Sequence, residues 1–387
     1  MYYKTLNEIA TDFRYGKMPD KSKITYSGDY PVWSGYRYVG YYDKKNINKN
    51  EIVVVARGVG GTGDVKICRE DCFLTNLSIA FNVNEDINPL YVYYYYQIKN
   101  LRYLDSGSAQ SQITINDLRN VKIPIPSKIV QDKIVEILNK IDKKIELNNE
   151  INNNLYDLSN SIYKQWFEKY DFPEFNGKYK DSELGMIPEN WSIGYFDDSI
   201  LTKIIKSGVK KFEGSKKYVA TADVSGTNIT SYEEIEYDNK PSRANMTPII
   251  SSIWFAKMEN SVKNILVDSY MCDILDNYIF STGFMGIECL NNSLYYMWAL
   301  INDEKFLLEK NSLSTGTLMA GISNSTIKNY KYLIPDYKTL ELFNKIQIDI
   351  NKEIYNNNVE NERLSQLGDT LLPKLMNGEI NLDNIEI

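Results

Sequence analysis

Histidine is absent from the 387 residues of this chain, which removes the commonest metal ligand and the commonest general base at neutral pH. Any serine nucleophile therefore lacks an imidazole partner. Cysteine is scarce: Cys68, Cys72, Cys272 and Cys289 are too few and too scattered for a disulfide framework, and the Cys68/Cys72 pair has no second pair at zinc-finger spacing. Reduced thiols are expected. No hydrophobic run approaches the length of a membrane span, and residues 1–13 interrupt their apolar positions with Lys4, Asn7, Glu8 and Asp12. Neither a membrane segment nor a signal peptide is expected, and the cytoplasm is the expected location. Also missing are a Walker A lysine loop, any Glu-x-Lys string of the carboxylate-and-lysine nuclease type, and the Asn-Pro-Pro-aromatic or Asp-Pro-Pro-Tyr strings of amino-methyltransferases. These absences argue against a self-contained enzyme: no catalytic, metal or cofactor residues are nominated, and the chain is expected to be non-catalytic.

What is present is enough chain for two domains of ordinary size, with 43% hydrophobic residues to fill their cores. The net charge of −7 is awkward for a nucleic-acid binder, but its distribution is uneven. Residues 1–126 carry 16 Lys+Arg against 13 Asp+Glu, and residues 181–335 carry 14 against 19. Only the first part leans basic, so DNA binding would need local clusters or positive charge from partners.

An internal repeat organises the chain. A shift of 209 residues aligns Gly107 with Gly316, Ile113 with Ile322, Thr114 with Ser323, Asn120 with Asn329, Lys122 with Lys331 and Pro126 with Pro335 without a gap. The same offset continues through Ile141/Ile350, Ile145/Ile354, Asn148/Asn357, Asn152/Asn361 and Leu155/Leu364. Composition alone does not hold one offset across a loop, a proline boundary and a helix.

Each copy has one grammar: a Tyr- and Gly-rich mixed region, a polar loop, an apolar strand ending in proline, then a helix. From Ile134 the apolar and seam positions step by four and three through Leu138, Ile141, Ile145, Asn148, Asn152, Leu155, Ser159, Ile162 and Trp166. The second copy steps through Phe343, Gln347, Ile350, Ile354, Asn357, Asn361, Leu364, Gly368, Leu371 and Leu375. Two one-sided stripes in one chain predict an antiparallel coiled coil, with the seam asparagines fixing register. About 40 residues at 1.5 Å each make a spacer of about 60 Å. The expected class is α+β with a pseudo-twofold repeat: a first domain over 1–126, a central helix over 127–170, a linker and second domain over 171–335, and a C-terminal helix and tail over 336–387.

Within the globular parts, residues 51–56, 64–68 and 78–83 read as strands, and 89–99 as either helix or strand. In the second copy, 218–222, 252–258 and 269–274 read as extended and 293–300 as helical. The stretch from Arg57 to Gly63 contains a literal G-x-G-x-x-G after a strand. A dinucleotide fingerprint needs a helix to begin there, whereas 64–68 reads as another strand, so a Gly-rich hairpin turn is expected.

Polar loops at repeat-equivalent places supply the binding candidates. Ser108, Gln110, Ser111 and Gln112 in the first copy, and Thr315 and Thr317 in the second, carry side chains suited to base edges and phosphates. Arg57 offers a fork to a guanine edge or a phosphate. Lys44 and Lys45, Lys210 and Lys211, and Lys216 and Lys217 are candidates for backbone phosphates, and Arg37 among Tyr36, Tyr38, Tyr41 and Tyr42 for an aromatic and basic surface.

The duplicated unit resembles the specificity subunit of type I restriction-modification systems over nearly the whole chain. Its marks are Leu184-Gly185-Met186-Ile187-Pro188-Glu189-Asn190-Trp191, Ile123-Pro124-Ile125-Pro126 leading into Gln131-Asp132-Lys133-Ile134, the Ser/Gly/Gln loop before Ile113, and the closing Leu371-Leu372-Pro373-Lys374-Leu375-Met376-Asn377-Gly378-Glu379-Ile380. The first copy has no equivalent of Pro188–Trp191. The resemblance implies two target-recognition domains, each reading one half of a bipartite sequence in double-stranded DNA. It implies as partners two DNA adenine methyltransferase subunits, which use S-adenosylmethionine, and ATP-driven restriction and translocase subunits; this chain itself would hold no cofactor. The competing reading is a coiled-coil interaction protein whose two domains bind ligands other than DNA.

Overall fold

Four consecutive apolar residues read as a strand covered on both faces, and Ile52–Val55 is buried at every position. It pairs antiparallel with Val65–Ile67 on one side and Ser78–Val83 on the other, and Ala10–Tyr15 extends the sheet beyond Ser78–Val83. The computed structural model describes residues 2–35, 37–58, 61–105, 112–197, 199–315 and 320–382. It divides into two units, Met1–Glu146 with Asn361–Ile387, and Leu147–Glu360.

In the first unit the four-stranded sheet is accompanied by a three-stranded one, in which Tyr30–Ser34 pairs antiparallel with Arg37–Tyr42 and parallel with Phe73–Leu74. The chain after the Arg57–Gly63 glycines continues as the strand Val65–Ile67. Gly63 has φ +92°, and a Cβ there would lie 2.4 Å from the Arg102 nitrogen, so both conformation and close approach demand glycine. The 89–99 stretch is the helix Pro89–Ile98, started by Pro89 at its first turn and by the Asn88 side chain, which accepts from the Leu90 N–H. Four of its tyrosines are buried. All four cysteines are free, with the Cys68 and Cys72 sulfurs 3.1 Å apart.

The second unit repeats the plan. Its antiparallel sheet runs in the order Thr202–Ile204, Phe284–Cys289, Ser252–Ala256, Asn264–Val267. A second sheet again contains one parallel pair, Ser215–Val219 beside Tyr278–Ser281, flanked by Glu233–Glu236 and Ala244–Met246. The expected extended segment at 269–274 is not there. The strand lies earlier, at Asn264–Val267, and the helix Cys272–Asn277 follows. Asp268 ends the strand: its carboxylate accepts the Ser269 N–H and its carbonyl accepts the Met271 N–H, which turns the chain.

The 209-residue offset reappears as geometry. Thr114 caps Ile115–Arg119 and exchanges hydrogen bonds with Asp117, and Ser323 caps Asn324–Ile327 and exchanges them with Thr326. Lys122–Ile125 pairs with Tyr2–Thr5 as Lys331–Ile334 pairs with Ser192–Tyr195, with Tyr2 opposite Ile125 and Ser192 opposite Ile334. Tyr91 donates to the Pro124 carbonyl and Tyr296 to that of Leu333, each at 2.8 Å.

The heptad pattern becomes two helices, Lys128–Tyr163 and Tyr337–Met376, the first continuing as a π-helical turn over Lys164–Glu168. Every seam position is buried or half-buried, while Ile129, Leu147, Leu158 and Leu367, off the seam, are exposed. Inside the second unit, Asn148 donates to Glu360 (2.8 Å), Asn152 and Asn357 hydrogen-bond at 2.9 Å, and Ser159 donates to Gln347 (2.7 Å). Partners descend along one segment as they ascend along the other, so the two segments run antiparallel there. Inside the first unit, Leu375 and Met376 pack with Ile134, Val135 and Leu138, and Lys133 donates to the Leu382 carbonyl at 2.8 Å. Among the described residues no helix is long and apolar enough to cross a membrane.

Candidate nucleic-acid interface

In each unit the residues just ahead of the capped helix are tied through their backbone to the end of the central strand. The Ile113 N–H donates to the Ala56 carbonyl and the Ile322 N–H to that of Lys257, both at 2.9 Å. One residue further out, Arg57 bridges Gln112 and Met258 bridges Gly321. Backbone pairing thus fixes Gln112 and Ile113, and Gly321 and Ile322, at the sheet end whatever the neighbouring side chains are.

In the first unit Arg57 is half-buried, its N–H donating to the Leu77 carbonyl at 3.0 Å. Its Nε is buried with no hydrogen-bond partner among the described residues. Gln112 is held from the other side, its N–H donating to the Asp105 carboxylate at 3.0 Å. The hairpin tip also comes here: Ser34 pairs with Arg37, and a Cβ on Gly35 would lie 3.8 Å from the Arg57 carbonyl. Arg37, Arg57 and Gln112 therefore share one end of the first unit. Lys44 and Lys45 do not join them, because they follow the far end of the strand Arg37–Tyr42. Lys45 pairs with Asp71 at 2.6 Å, a hydrogen bond that holds its amine above the ordinary lysine range. Ser108, Gln110, Ser111, Tyr36 and Thr317 lie outside the described residues.

In the second unit Thr315 exchanges backbone hydrogen bonds with Gly321 at 3.1 and 3.2 Å, closing the loop at its base. Glu259 donates through its N–H to Ala320 at 2.9 Å. No hydrogen bond among the described residues joins this loop to Lys210, Lys211, Lys216 or Lys217. Lys210 and Lys211 are exposed on the segment before Ser215–Val219. Lys216 donates to the Asp276 carbonyl (2.8 Å) and lies over the Phe212 ring, and Lys217 pairs with Asp273 at 2.8 Å between the rings of Tyr232 and Tyr278. Partial burial works most strongly against the Lys217 charge, but the hydrogen bond to Asp273 together with the electrostatic pull of Tyr278, Asp273 and Tyr232 outweighs it, and the amine is held above its ordinary value.

Cations that the residue patterns did not single out stand nearer the loop. Lys257 donates to the Thr282 carbonyl at 3.1 Å, and burial lowers its affinity for a proton. Lys310, only 1% exposed, donates to the carbonyls of Ala256 and Ser261, clamping the turn after the central strand, and burial pushes its amine down to about 8. An isolated lysine in a helical pattern reads as surface; only the tertiary fold turns this one inward.

The first unit also holds a cleft of about 720 Å³, walled by Met18, Lys21, Tyr26, Ser34, Val39 and Asn76 among others. The segment from Lys17 onward forms its outer wall, held by the Thr25–Tyr41 bridge. Nothing but a modest charge excess marked that segment in the sequence.

Residues 1–156 match the family model described as "Type I restriction modification DNA specificity domain". The chain is similar to the Type I restriction enzyme MjaIX specificity subunit of Methanocaldococcus jannaschii, 26% identical over 312 residues covering 76% of this chain and 70% of the relative. It is similar also to the HindI specificity subunit of Haemophilus influenzae, 23% identical over 328 residues covering 70% of this chain and 71% of that one. Among solved structures, the Type-I restriction-modification system S subunit from M. genitalium shares the fold, with a TM-score of 0.62 at 18% identity over 97% of this chain and 95% of that one.

Proposed function

We propose a DNA-reading role for this chain, which belongs to the family of type I restriction-modification specificity subunits. Each unit reads one half of a bipartite duplex target, and the two long helices act as an antiparallel coiled-coil spacer between the readings. Methyl transfer to adenine, with S-adenosylmethionine, and ATP-driven restriction belong to partner subunits that the chain brings to the site. It is non-catalytic and holds no cofactor.

The observation that carries this reading is the repeated loop closure, Ile113 on Ala56 and Ile322 on Lys257. Two recognition surfaces built on one backbone plan suit a target of two unlike halves: the scaffold stays constant while loop side chains vary. Two half-sites read on one face of a duplex fall about one helical turn, roughly 10 bp, apart.

The test is methylome sequencing of cells with and without this chain. A two-part adenine motif that appears only with it is the expected result; an unchanged methylome rejects the role. A salt titration of duplex binding in the presence of methyltransferase subunits separates the role from binding of a non-DNA ligand, since phosphate contacts make affinity fall steeply with salt. Removing four residues from 141–158 together with their equivalents in 350–367 is expected to change the spacer and leave the bases read unchanged. Unaltered spacing would rule out the helices as a ruler.

A further inference from the structure

We infer that the cleft of the first unit is a seat for its DNA half-site, with Lys17, Lys21 and Lys23 on phosphates and Asn76 on base edges. The inference rests on the DNA-reading role above and assigns it to residues that the repeat did not mark.

The rim carries the charge. Lys17, Lys21 and Lys23 are exposed and engage no carboxylate among the described residues. The single acid within residues 17–26, Asp20, accepts from the Ser22 N–H (3.1 Å) and Ser22 hydroxyl (2.7 Å), so its carboxylate is committed to its own turn. Three free ammonium groups on one short wall suit a polyanion. The same wall exposes Tyr26 completely and Met18 to 63%, apolar surface that packs on nothing in this unit's core.

The floor carries the groups able to discriminate. Asn76 is half-buried and lines the cleft, and its amide has no hydrogen bond among the described residues. An asparagine amide presents one donor and one acceptor, the pairing that matches the N6 and N7 edge of adenine. Leu77, the next lining residue, accepts the Arg57 N–H. Lysines along the wall and a half-buried amide at the floor thus meet in one cleft.

Two variants test the assignment in the assembled complex and in cells. The double change Lys21→Gln with Lys23→Gln removes two charges from an exposed wall. The slope of log affinity against log salt is expected to shrink by about 2, with the methylated motif unchanged. Asn76→Ala, with Asn76→Ser as the milder version, is expected to relax base preference in one half of the motif and leave the other intact. A slope that does not move, or Asn76 variants that leave both halves as they were or abolish both, would overturn the assignment. If the unaltered chain directs no two-part motif at all, the DNA-reading role fails, which is a different result from failure of the cleft.

Discussion

Val53 faces Ala80 across the central sheet of the first unit, and the matching place in the second unit is Trp254 facing Gly286. The pairs distribute volume oppositely. A Cβ on Gly286 would lie 2.4 Å from the Trp254 ring, whereas the first unit carries a smaller side chain opposite a real methyl group. The outer sheets diverge further: the strand that pairs with the first strand of that sheet is Arg37–Tyr42 in one unit and Glu233–Glu236 in the other. Cations differ as well: Lys17, Lys21 and Lys23 in the first unit engage no carboxylate among the described residues, whereas Lys216 and Lys217 in the second are engaged by Asp276 and Asp273. One backbone plan, held by the same caps and the same strand-end hydrogen bonds, thus supports unlike interiors and unlike surface charge. Duplication preserved the connections and left the packing and the electrostatics to differ.

The largest expected effect breaks the second unit's solution. Trp254 is fully buried and donates to Ser252 at 2.9 Å, so Trp254→Ala should cost about 3–5 kcal/mol in urea unfolding. Next is the proton of Lys310. Burial holds its amine near 8, while an unfolded chain keeps that proton up to a pH of about 10.4. Between those values the unfolded state binds more protons, so stability should rise with pH through that window, by on the order of 3 kcal/mol in full. Lys310→Met should remove this rise, seen as the difference between the two unfolding curves from pH 7.5 to 9.5. Equal slopes would show that the amine is solvated.

Smaller still is the exchange of the paired positions. Gly286→Ala should cost about 1–3 kcal/mol from overpacking, and Ala80→Gly in the first unit only about 0.5–1 kcal/mol from added chain freedom. Combining Gly286→Ala with Trp254→Val, which installs the first unit's pair, should cost less than the sum of the two changes, a coupling that a double-mutant cycle reads directly. Last is the Lys217–Asp273 pair, both partners only partly buried. Lys217→Met should change stability by about 0.2–1 kcal/mol at most, and less in high salt.

The long helices and the loop-to-strand order were legible because periodicity and offset survive in a linear string. Thr114 and Ser323, 209 residues apart, announce the same cap, and the seam from Ile134 to Trp166 announces the same buried stripe. The run at 269–274 misled because an apolar stretch of strand length does not say which residues pair; Asp268, by accepting the Ser269 N–H, ended the strand earlier. Lys44 and Lys45, nominated for phosphate contacts, follow the strand Arg37–Tyr42 at the end away from Arg37, a separation that sequence proximity did not reveal. The Lys17–Asn76 cleft had no signature at all, since its walls are brought together by the Thr25–Tyr41 bridge and by the strand Phe73–Leu74 lying beside Tyr30–Ser34.

By itself, the order of residues determined that this chain is built twice, where each copy turns from sheet to helix, and which helix face is buried, because those properties depend on neighbours a few positions apart. Tertiary structure alone decided which cations are free, which lysine is buried, and which side chains share a cleft. Charge pairing and burial are set by atoms distant in sequence, and a pattern of residue types does not encode their separation in space.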